Sequence, residues 1–262
     1  MDFGLNDKVA LVAASSTGLG KAIALELAKE GANIIICSRN SDKLKLVQDI
    51  IQNSGRSCLS VPTDLTSHSQ VQTLVNKSIE YFGKIDILVT NCGGPPSGNF
   101  LDFSIDDWKQ AIDLNLMSTI YLCKEVIPHF IKQNSGRIIM ITSVSVKQPI
   151  PGLILSNVTR AGVAGLAKSL SNELGEHNIL VNTVCPGYTQ TERVEQLAET
   201  LSAVKGLEPV EMIQQWAKLN ALGRLATPEE FANVVVFLAS EKASHLTGTT
   251  IQIDGGLVKS LL

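Results

Sequence analysis

Seven short apolar runs, at residues 9–13, 33–37, 58–61, 85–89, 137–141, 179–184 and 250–253, recur along the chain with helical patterns between most of them. None of these runs shows the strict apolar/polar alternation of a strand with one wet face, so each strand has to be covered on both sides. Strands that alternate with helices in this way build a parallel sheet with right-handed crossovers and helices on both faces, a doubly wound α/β fold. At 262 residues and 44% hydrophobic content the chain can bury one such core, so residues 1–262 read as a single domain. The one long connection without a strand, about 188–224, carries helical patches and reads as a lid over a ligand site.

Local signals agree with this outline. The pattern over 21–30 places Ile23, Leu27 and Ala28 on one side of a helix and stops at Gly31, which can take a left-handed conformation. Thr227-Pro228-Glu229-Glu230 combines a capping box with proline at the first helical position, so a helix starts there.

Between the first strand and the first helix lies AASSTGLG, residues 13–20. Gly18 and Gly20 allow a tight turn and a close backbone approach to a pyrophosphate, which the positive end of the next helix would stabilise. Ser15, Ser16, Gly18, Leu19 and Gly20 are therefore the expected phosphate-side residues of a dinucleotide site. The end of the second strand, where an NAD site carries an acid for the ribose hydroxyls, reads Ser38-Arg39-Asn40. A guanidinium pairs with a 2′-phosphate and a serine can donate to it, so NADP(H) is favoured over NAD(H).

Charge and cysteine usage exclude other classes. The net charge is −3 and the 22 Lys and Arg are scattered, leaving no electrostatic footprint for nucleic acid or an anionic membrane. The start, MDFGLNDK, has acidic residues before a short apolar run, unlike a signal peptide, and no stretch approaches a membrane span. A soluble, cytoplasmic protein with a small-molecule partner is the expectation. Cys37, Cys58, Cys92, Cys123 and Cys185 form no CxxC pair or zinc spacing, and they read as structural thiols, with no metal expected.

Taken in order, these segments and four others make the chain resemble the short-chain dehydrogenase/reductase family along essentially its whole length. The resemblance is strongest to bacterial 3-oxoacyl-thioester-reductase-like members. AASSTGLG resembles TGxxxGxG, with Ala13 and Ala14 at the Thr and first Gly positions. TNCG at 90–93 resembles NNAG, keeping Asn91 and Gly93. Thr63-Asp64-Leu65 matches the turn after the third strand, PGYTQT at 186–191 the PG segment, and Asp254-Gly255-Gly256 the C-terminal DGG. The resemblance implies a seven-stranded Rossmann sheet, usually in a homotetramer. It also implies cofactor contacts from Asp64 and Leu65 at the adenine, from Asn91 and Gly93, and from Pro186, Gly187 and Thr189 in the segment flanking the nicotinamide.

The family's chemistry uses a Tyr as proton donor, a Lys four residues later that lowers the Tyr pKa and holds the ribose, a Ser on the carbonyl oxygen and an Asn that anchors a relay water. Ser143 and Asn115 match the last two. Thirteen residues beyond Ser143, where YxxxK belongs, stand Ser156 and Arg160. Their spacing keeps both on one helix face. An aliphatic hydroxyl titrates far above a phenol's ~10, and arginine stays protonated, so the usual proton transfer is altered.

Arg160 could clamp the nicotinamide ribose or a substrate carboxylate or phosphate with its planar fork. The donor could be Ser156 within a water chain, Lys147 or Tyr188. Two functions follow: an NADP(H)-dependent reductase of a carbonyl, or dehydrogenase of the alcohol, with a non-standard donor and 3-oxoacyl thioesters among its substrates; or an NADP(H)-binding sensor that has lost hydride chemistry. Val194, Leu197, Leu201, Met212 and Trp216 in the 188–224 region suit an apolar or amphipathic ligand, or simply pack that region onto the core.

Overall fold

The seven apolar runs form strands β1 (Val9–Ala13), β2 (Asn33–Ser38), β3 (Cys58–Pro62), β4 (Ile87–Thr90), β5 (Gly136–Ile141), β6 (Ile179–Pro186) and β7 (Thr250–Ile253). They make one sheet of order β3-β2-β1-β4-β5-β6-β7 in which every pair is parallel. The computed structural model describes residues 2–261. The fourth strand begins two residues later than the run at 85–89, and just before it the Asp86 carboxylate accepts from the amide of Val9 at 2.8 Å, tying the start of β4 to β1.

The helices are α1 (Gly18–Lys29), α2 (Ser41–Asn53), α3 (His68–Phe82), α4 (Ile105–Ile112), α5 (Ser118–Gln133), α6 (Ile154–Leu174), α7 (Glu192–Lys205), α8 (Pro209–Leu219) and α9 (Pro228–Ala239). Helix α1 starts at Gly18, earlier than the pattern over 21–30 suggested, and Gly31 just beyond it has φ +96°. Thr227 caps α9 as the sequence implied, its hydroxyl accepting from the Glu230 amide while the Glu230 carboxylate accepts from the Thr227 amide.

Alternate strand residues feed two apolar layers. Ala10, Val12, Ile34, Ile36, Val89 and Ile139 pack with α1, α2 and α9 on one face. Val9, Leu11, Ile35, Leu88, Ile138 and Met140 pack with α3, α5 and α6 on the other. This double burial is why the strands read as continuous apolar runs.

Residues 188–224, expected as one irregular stretch with helical patches, fold into two helices, α7 and α8, joined at Gly206 with φ +65°. They bury a cluster of their own built on Leu197, Met212, Trp216 and Leu225. The Tyr188 ring stacks on Trp216 at 4.4 Å with 5° between the planes.

β1 pairs with β2 on one side and β4 on the other, so the connections leave in opposite directions and open a crevice at the carboxyl ends of the strands. Gly20 keeps α1 close to that crevice, since a Cβ there would lie 2.3 Å from the Ala14 carbonyl oxygen.

Candidate active site

A cleft of about 690 Å³ runs along the carboxyl ends of β1, β4, β5 and β6. Its size falls within the range of small-molecule sites. Ser16, Gly18 and Leu19 line one end together with Thr17, and Gly18 adopts φ +56°. Thr17 precedes α1 without capping it through its side chain, and the first turn holds no acidic residue. The amides at this helix end are thus left for an anion, in line with the helix dipole. Thr191 faces Gly18 across the turn, 3.7 Å from where a Cβ on Gly18 would stand.

Ser38, Arg39, Asp64 and Leu65 line the outer end. Among the described residues Arg39 has no carboxylate within ion-pair distance. The backbone and hydroxyl of Thr66 hold the Asp64 carboxyl below its usual range, and the Arg39 charge adds to this. An exposed, uncommitted guanidinium beside a serine at the end of β2 can accept a phosphate, so the residues present fit an NADP-type dinucleotide.

At the inner end Ser143 follows β5, its hydroxyl accepting from the Ser145 amide at 3.1 Å and keeping its own proton to donate. Ser156 and Arg160 lie one turn apart on α6 and both line the cleft. Arg160 is only 8% exposed. It donates from Nε to Ser156 Oγ at 3.2 Å, from Nη1 to the Thr142 carbonyl at 3.1 Å and from Nη2 to the Gly93 carbonyl at 3.4 Å. All of these partners are neutral. Because Ser156 accepts from the guanidinium, its proton is available to a ligand oxygen.

Asn91, Gly93, Pro186, Gly187 and Thr189 complete the walls. Three expected residues stand behind the cleft rather than on it. Ser15 is fully buried, with its hydroxyl donating to the Val12 carbonyl at 2.8 Å and accepting from the Cys37 amide at 3.1 Å, a tie between β1 and β2. Gly20 serves the packing of α1 described above. Asn115 sits in a π-helical turn, Asp113–Met117, with its amide donating to Thr159 Oγ1 and its oxygen accepting from the Cys92 thiol, both at 2.9 Å.

Cys92 does line the cleft. Burial pushes its thiol pKa up, and the Arg160 charge opposes that shift. Of the other donors considered, Tyr188 lines the cleft but burial raises its pKa, the wrong direction for an acid at neutral pH, and Lys147 is not among the lining residues.

A family model described as enoyl-(acyl carrier protein) reductase matches residues 13–258. This chain belongs to the short-chain dehydrogenase/reductase family. Oxidoreductase UcpA of Salmonella typhimurium is 38% identical over 253 residues, covering 96% of this chain and 95% of the relative. The 3-oxoacyl-(acyl-carrier-protein) reductase FabG of Aquifex aeolicus is 36% identical over 258 residues, 98% of this chain and 100% of the relative. The crystal structure of L-sorbose reductase from Gluconobacter frateurii, complexed with NADPH and L-sorbose, superposes with a TM-score of 0.94 at 32% identity over 100% of both chains.

The family's seven-stranded sheet is thus present, and two cleft residues stand out that the sequence reading passed over. Thr191 ends the PG segment and Arg193 follows it, with Arg193 Nη2 donating to the Pro95 carbonyl at 2.9 Å. A cation two residues past Thr191, next to a segment already expected at the nicotinamide, was the available signal. Among the described residues no helix is long and apolar enough to cross a membrane, and no group of three or more His, Cys, Asp or Glu could hold a metal.

Proposed function

We propose that this chain is an NADP(H)-dependent oxidoreductase that reduces a carbonyl, or oxidises the corresponding alcohol, with Ser156 and Arg160 in place of the family's tyrosine and lysine. The observation that carries the reading is the 3.2 Å hydrogen bond from Arg160 Nε to Ser156 Oγ, in a cleft wall shared with Ser143. When bound, the reduced nicotinamide supplies hydride to the carbonyl carbon. Ser143 and Ser156 donate hydrogen bonds to the carbonyl oxygen, and the Arg160 charge favours the negative charge that develops there. The proton comes from the Ser156 hydroxyl, which is replenished from water. Arg160 acts through its charge and through its hydrogen bond to Ser156. Asn115 is assigned a positioning role through Thr159, and α7 and α8 act as a lid.

Support for NADP(H) comes from Ser38 and Arg39 at the end of β2, and from the NADPH in the L-sorbose reductase structure. Arg39→Asp should shift relative affinity from NADPH toward NADH by about 1.5–3 kcal/mol, the worth of a lost charged hydrogen bond. Fluorescence titration with both cofactors measures this, and an unchanged ratio would remove Arg39 from the 2′-phosphate.

The direct test follows NADPH oxidation against acetoacetyl thioesters, diketones, small aldehydes and small oxo acids, beside Ser143→Ala and the double variant Ser156→Tyr, Arg160→Lys. Native turnover that falls about 100-fold or more in Ser143→Ala is the expected result. Turnover absent from the native protein and gained in the double variant would overturn the serine-arginine donor.

A further inference from the structure

Two guanidinium groups reach the same short loop of the cleft from different helices. Arg160, on α6, donates to the Gly93 carbonyl at 3.4 Å, and Arg193, in the first turn of α7, donates to the Pro95 carbonyl at 2.9 Å. The Arg193 head lies over Gly94, where a Cβ would come within 2.9 Å of its Nε and Nη2. Desolvation, and then the Arg160 charge, hold the Arg193 pKa below the usual arginine value, so the two cations repel each other across this loop.

No carboxylate answers them. Among the described residues neither arginine is within ion-pair distance of an acid. The two carboxylates lining the cleft are engaged elsewhere, Glu192 with Lys43 at 3.2 Å and Asp64 with Thr66 at 2.8 Å. Arg160 is buried and Arg193 stands at the exposed rim of the cleft, so an anion between them would offset both the burial of the Arg160 charge and the repulsion of the two cations. Both arginines line the cleft, and N–H groups of a planar guanidinium match the geometry of a carboxylate or phosphate. The cofactor's pyrophosphate has a separate place at Gly18 and the open end of α1, while Arg160 shares its wall with Ser143 and Ser156.

We propose that Arg160 and Arg193 together hold an oxyanion carried by the substrate itself, which makes carbonyl compounds bearing a carboxylate or phosphate, and their alcohols, the substrate class of this site. The inference rests on the oxidoreductase reading above and narrows it.

The test compares charged and neutral partners of similar shape on protein saturated with NADP+, which cannot reduce a carbonyl, by calorimetric titration: acetoacetate against methyl acetoacetate, and dihydroxyacetone phosphate against dihydroxyacetone. The charged member of at least one pair should bind roughly 10- to 100-fold more tightly, and the pair that shows the gap identifies the oxyanion. Arg193→Met, and separately Gly94→Ala, which displaces the Arg193 head, should close the gap while NADPH affinity stays within about threefold. Equal binding of charged and neutral members, or a gap that survives both variants, overturns the proposal. So does an equal loss of NADPH affinity in Arg193→Met, which would assign that guanidinium to a cofactor phosphate. Thermal melts without cofactor separate the two readings. Arg193-dependent stabilisation by acetoacetate or inorganic phosphate, in protein that gives no response to NADPH, would leave the oxyanion site standing and sink the oxidoreductase reading.

Discussion

Gly18→Val should lower NADPH affinity by about 100-fold or more while the protein stays folded. Gly18 holds φ +56°, where a β-branched residue is strained by about 1–3 kcal/mol. The added side chain would also point across the turn toward Thr191, into the space a pyrophosphate needs in order to meet the amides of α1. Fluorescence titration reads the affinity and a thermal melt reads the fold. Retention of native affinity would remove this turn from the cofactor site. Gly20→Ala is the informative contrast. Its Cβ would sit 2.3 Å from the Ala14 carbonyl oxygen and 3.0 Å from that of Ala13, both backbone atoms with little room to yield. Its cost should therefore appear as stability, about 1–3 kcal/mol or more, and lower the melting temperature directly. Two glycines two residues apart are thus expected to answer to different forces, Gly18 to the ligand and Gly20 to packing.

Arg160→Met should reduce kcat/KM by about 100- to 10,000-fold and leave the melting temperature unchanged or raised. The guanidinium is buried against neutral groups, and among the described residues no carboxylate is within ion-pair distance of it, so in the free protein its charge is a cost to the fold. Methionine fills much of the same volume without that charge, and the carbonyls of Thr142 and Gly93 lie at a cleft wall. Sites that trade stability for function respond to substitution in this opposite way. Steady-state kinetics with the substrate found by the panel, beside calorimetric melts, measure both sides. A rate loss under about tenfold would remove Arg160 from the charge-stabilising role. Arg160→Lys should fall between, since it keeps the charge and loses the fork that spans Ser156 and two carbonyls.

Much of this was legible in the residues. Strands buried on both faces leave continuous apolar runs, and helix ends leave glycine and the Thr227 capping box, because those signals come from backbone hydrogen bonding and side-chain burial within a few residues. The turn at Gly18, the Ser-Arg pair at the end of β2 and the four-residue spacing of Ser156 and Arg160 are local in the same sense. Motif order along the chain was enough to indicate the family. The region at 188–224 was harder, since its apolar residues divide their roles. Val194 and Leu197 line the cleft and also pack into the cluster that Met212 and Trp216 of α8 build, and a helical pattern alone does not tell a ligand wall from a small core.

The sequence by itself determined the doubly wound sheet and the identity of the groups at the first turn and on α6. The tertiary structure decided where each polar side chain spends its hydrogen bonds. Ser15 turned inward to tie β1 to β2, Asn115 was taken up by Cys92 and Thr159, and Arg193 was brought from α7 onto the loop that Arg160 reaches from α6. These are pairings between residues far apart in the chain. A hydrogen bond or a repulsion depends on distances of a few ångströms in space, which local spacing along the chain does not carry.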